Sequence, residues 1–76
     1  MPRYFFHIDN GSEFPDNDGT VLEDVTEARA QAIMTAGDMI KESGGSVEDG
    51  IEWRMTVADE IGKAVCELRF LARCTE

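Results

Sequence analysis

The stretch that decides the fold runs Ile51-Glu52-Trp53-Arg54-Met55-Thr56-Val57, then Asp59-Glu60-Ile61-Gly62, then Ala64-Val65-Cys66-Glu67-Leu68-Arg69-Phe70. In its first part apolar and polar residues alternate, the period of a strand with one face in a core and one in water. Asp59 to Gly62 reads as a four-residue turn, with glycine where a positive φ is expected. Ala64, Cys66, Leu68 and Phe70 then alternate with Val65, Glu67 and Arg69. The two runs form an antiparallel hairpin, with Trp53, Met55, Cys66 and Leu68 on its inner face.

Working back toward the N-terminus, Arg3 to Ile8 is aromatic and β-branched, with Tyr4, Phe6 and Ile8 on one face and Arg3, Phe5 and His7 on the other. Asp9-Asn10-Gly11-Ser12 is a turn, and Glu13-Phe14 begins the return strand. Pro15 has no N–H to give a ladder and Asp16-Asn17-Asp18-Gly19 is a second turn signal. The return strand is therefore short or broken and belongs at a sheet edge, with Thr20-Val21-Leu22 continuing it. Asp24 stands three residues before Glu27, the spacing of an N-cap and its N3 partner. Val25, Ala28, Ala32, Ile33, Ala36, Met39 and Ile40 follow at helical steps as one apolar stripe, with Gly44 and Gly45 as terminating residues. The expected fold is α+β: a two-layer β-β-α-β-β domain spanning residues 1-76. One helix covers one face of a four-stranded antiparallel sheet of order 2-1-3-4.

Seventy-six residues of 8.4 kDa leave no room for a second domain. Sixteen Asp and Glu against seven Lys and Arg give a net charge of −9. Such a chain is not built to grip nucleic-acid phosphates or anionic membranes, which reward clustered Lys and Arg. The first residues lack the apolar run of a secretory signal, and two cysteines make no disulfide framework, so the expected location is cytoplasmic. Cys66 reads as a small core residue and Cys74 as an exposed thiol near the end.

The chemistry-bearing motifs are weak. Asp16-Asn17-Asp18-Gly19 imitates positions 3 to 6 of a calcium loop, but position 1 would be Phe14 and position 12 Val25, so a plain turn is the better reading. His7 has no second ligand at metal spacing, and parity puts it on the face opposite Cys66, which removes a metal site and a Cys-His pair together. No phosphate loop, dinucleotide fingerprint or nucleophile elbow is present. The acidic pairs Glu23-Asp24, Glu48-Asp49 and Asp59-Glu60 all fall in connections, where carboxylates ordinarily serve as solvating groups. No catalytic residue and no cofactor are expected.

The opening Met1-Pro2-Arg3-Tyr4-Phe5-Phe6-His7, the Asp16 to Gly19 turn, the Ala28-Arg29-Ala30 helix entry and the Val57 to Gly62 hairpin resemble a family of short bacterial proteins. That family is known only as a domain of unknown function. The similarity covers nearly the whole chain, departing at Gly44 to Ser46 and in the Cys-bearing tail. The resemblance implies small stand-alone size and a cytoplasmic setting, and carries over no catalytic residue.

What remains is the sheet face turned away from the helix. It should display Arg3, Phe5, His7, Arg54, Thr56, Val65 and Arg69, together with Glu52 and Glu67. Aromatic and arginine side chains are enriched at protein interfaces, whereas cross-strand Glu-Arg pairs on a solvated face are the plain alternative. The expected function is a non-catalytic protein-interaction module, self-associating through this face or an edge strand. An acidic, antitoxin-like regulatory partner of a basic protein is the second reading. A small-molecule binder or enzyme is the third, limited by how little depth one helix over a sheet affords.

Overall fold

The computed structural model describes residues 1–43 and 52–73. Among the described residues five strands and one helix follow one another: β1 (Arg3–Asp9), β2 (Glu13–Phe14), β3 (Thr20–Val21), α1 (Val25–Ser43), β4 (Glu52–Ala58) and β5 (Ala64–Leu71). The α+β class, the single helix and the antiparallel pairing agree with the sequence reading. The expected count of four strands does not. Pro15 and the loop after it split the return segment into β2 and β3, and both pair with β1. The expected order 2-1-3-4 accordingly becomes β2-β1-β4-β5, with β3 as a further partner of β1.

The core lies between α1 and the inner face of the hairpin. Tyr4, Leu22, Trp53, Met55 and Val57 are buried, and Met55 and Val57 are wholly so. Truncating a methionine in such a site costs about 2–5 kcal/mol. The helix meets this cluster through Ala28, Ala32 and Ala36, whose small side chains bring its backbone close to β4 and β5. Asp24 caps it as expected, its Oδ1 accepting the Glu27 N–H at 2.9 Å. Val25 and Ile33, placed on the buried stripe by periodicity, are exposed instead. At about 100° per residue Ile33 lies on the flank of the line through the three alanines, whereas Val25 falls on that line but is the first residue of the helix, ahead of Ala28 where the core contacts begin.

A second correction concerns β5. Val57 pairs with Cys66 and Ala58 with Ala64, so Val65 is the extra residue of a bulge. Strict alternation placed Val65 on the outer face, but it packs against the buried cluster. Gly44, Gly45, Ile51 and Cys74, to which the sequence reading gave roles, lie outside the described residues.

Candidate functional site

The outer face of the sheet has two halves with different chemistry. On β1, the registers set Phe5 opposite Ala58 and His7 opposite Thr56. This half is occupied by the chain's own loop. Asp16 stands beside β1 and its carboxylate accepts three backbone N–H groups, from Phe6 at 3.1 Å and from Asp18 and Gly19 at 3.0 Å each. The Phe6 amide, which would otherwise be an unpaired group on a strand edge, is satisfied by a side chain. The Asp16 N–H donates to His7 Nδ1 at 3.0 Å; when the ring is neutral its proton is then on Nε2. Arg3 donates to the Asp18 carbonyl at 2.8 Å.

Burial pushes the Asp16 carboxyl up. The N–H donors of Gly19, Phe6 and Asp18 pull the other way, His7 adds to them, and the net position is below the usual carboxylate value. Its oxygens therefore organise backbone, and the likeness of this segment to a calcium loop is turn chemistry. Among the described residues no group of three or more His, Cys, Asp or Glu could hold a metal ion.

Gly19 closes the loop with φ +72°, and a Cβ there would stand 2.8 Å from Arg3 Cγ and 2.9 Å from Phe5 Cε1. The loop backbone thus lies directly on Arg3 and Phe5. The Phe5 and His7 rings run parallel, with centroids 6.4 Å apart. Three of the residues read as an interface, Arg3, Phe5 and His7, are therefore engaged within the chain. The signal for this was the glycine, since a turn that must approach another strand needs a residue without a side chain; its target was not readable.

On β4 and β5 the outer face is open. Arg54 stands directly across from Arg69, an arrangement that needs anions around it. Glu52 supplies one, at 3.2 Å from Arg54 and 3.7 Å from Arg69, and Glu67 lies 2.8 Å from Arg69. His7, Thr56 and Arg54 also line a shallow hollow of about 310 Å³, together with Asp9, Glu13 and Pro15. The structure thus brings Arg54, Thr56 and Arg69 onto an accessible face and removes Val65 from it.

The sequence reading named an edge strand as a route of association without saying which one. Among the described residues β5 pairs with β4 alone, which leaves its other side as a free edge of eight residues. Phe70 and Leu71 are exposed at its end. No helix among the described residues is long and apolar enough to cross a membrane.

Residues 3–71 match one family, described as Domain of unknown function (DUF6894). No curated protein and no solved structure matches the chain.

Proposed function

The chain belongs to that family of unknown function, and we propose that it is a non-catalytic protein-interaction module that associates through β5 and the adjoining outer face. The observation that carries this reading is the unequal treatment of the sheet's two edges. The outer side of β1 is met by β2, the Asp16 loop and β3, whereas among the described residues nothing pairs with the outer side of β5. A strand edge left with free N–H and C=O groups is a template for another strand unless something blocks it. Between Ala64 and Leu71 there is no proline and no lysine, residues that commonly block such an edge.

The resemblance of the opening residues to a bacterial family supports a bacterial cytoplasmic setting. Light scattering in reducing buffer, from micromolar to millimolar protein, tests the self-associating form. A mass that rises toward the dimer supports it, and a constant monomer mass removes it.

The net charge of −9 favours a second reading, in which the partner is a basic protein. Long-range attraction would then speed association at low salt. Capture of a basic partner that is insensitive to salt would count against it.

A further inference from the structure

Resting on that reading, we infer that the occupant of the β5 edge is a second copy of this chain, paired antiparallel about a two-fold axis through Leu68. Two registers overlap the strand most fully, one centred on Glu67 and one on Leu68, because β5 spans Ala64 to Leu71 and its midpoint falls between those residues. The charges decide between them. Centring on Glu67 sets that carboxylate against its own symmetry mate, and like charges directly across a ladder repel. Centring on Leu68 sets Glu67 against Arg69 of the partner subunit and Arg69 against Glu67 of the partner subunit. One such contact appears twice by symmetry, which is what a closed two-fold interface requires. Shifting further, to centre on Arg69, juxtaposes two guanidinium groups.

The surroundings fit this register. The Arg69 side chain is 60% exposed, and its Nε stands 2.8 Å from Glu67 and 3.7 Å from Glu52. Arginine has five N–H donors in a planar fork, which leaves donors for a further carboxylate across the seam. On the helix side the pairing sets Leu68 against its mate and Cys66 against Phe70 of the partner subunit, covering apolar surface on Phe70 that is now exposed. An axis perpendicular to the sheet keeps faces together, so both helices lie on one side of the joined sheet.

The test uses charge reversal with sedimentation equilibrium in reducing buffer. Glu67→Arg and Arg69→Glu each turn two attractions into two repulsions and should weaken self-association at least about tenfold, from pairwise effects of this kind. Mixed in equal amounts, the two variants regain opposite charges across the seam and should form a heterodimer near wild-type strength, which also shows that both fold. The variant carrying both reversals should dimerise alone. A wild-type dimer indifferent to these changes would overturn the register while leaving the self-associating reading in place. A wild type that stays monomeric at millimolar concentration would overturn both.

Discussion

The two edges of the sheet are built on opposite plans. Along the seven residues of β1, β2 meets Ile8 and Asp9, the Asp16 carboxylate meets Phe6, and β3 meets Arg3 and Tyr4. Along β5, eight residues pair on one side only among the described residues, and Glu67 and Arg69 stand on the adjoining face. The difference shows that this chain can close an edge without a long strand, by folding a short loop back and supplying a carboxylate where a strand would have supplied a carbonyl. That it closes one edge this way and leaves the other bare is the reason to look for a partner at β5.

The comparison breaks most visibly at Gly19. Gly19→Val combines a left-handed φ with a clash against Arg3 and Phe5, and should lower stability by about 3 kcal/mol in urea denaturation. Gly62→Ala is the matched control. Gly62 also has a positive φ, but nothing lies within 4 Å of its added Cβ, so only the backbone cost of about 1 kcal/mol applies. Equal losses at the two sites would mean that the loop is not seated on β1.

Asp16→Ala removes the acceptor of three N–H groups and should cost about 2 kcal/mol at neutral pH. Its carboxyl titrates lower in the folded chain than its ordinary value. The contribution is therefore fully present above the unfolded carboxylate pKa of about 3.9 and is lost as pH falls through the lower folded value. Stability measured against pH should show wild type and variant converging in acid and separating above about pH 4. A constant gap would argue against the carboxylate as the clamp.

Two smaller changes should leave the sealed edge alone. Gly37→Ala adds a methyl with nothing within 4 Å and replaces a poor helix former, so it should raise stability by about 1 kcal/mol without altering self-association. Leu71→Lys places a charge at an exposed position of the bare edge. It should shift folding stability by no more than about 0.5 kcal/mol while weakening association. Equal association by wild type and this variant would put the interface elsewhere.

Much of the fold was legible because alternation and helical period report which side of an element is buried. Period alone turns Trp53 and Met55 inward, and the spacing of Asp24 to Glu27 marks a cap; both hold in the structure. The candidate site was less legible, for three physical reasons. A turn motif such as Asp16 to Gly19 announces a change of direction but not the strand it will lie against, so Arg3, Phe5 and His7 were read as free. Alternation assumes an unbroken ladder, and the bulge at Val65 reverses that residue's side. Whether an edge is covered depends on which strands become neighbours, a tertiary fact that no local pattern in β5 encodes.

Amide hydrogen exchange, measured residue by residue at two protein concentrations, bears most directly on the contrast between the edges. The Phe6 amide, held by Asp16, should be protected equally when the protein is dilute and when it is concentrated. The outward-facing amides of β5 should exchange fast in dilute solution and slow as concentration rises. Protection of β5 that is already complete at dilution, or that never changes with concentration, would contradict the account.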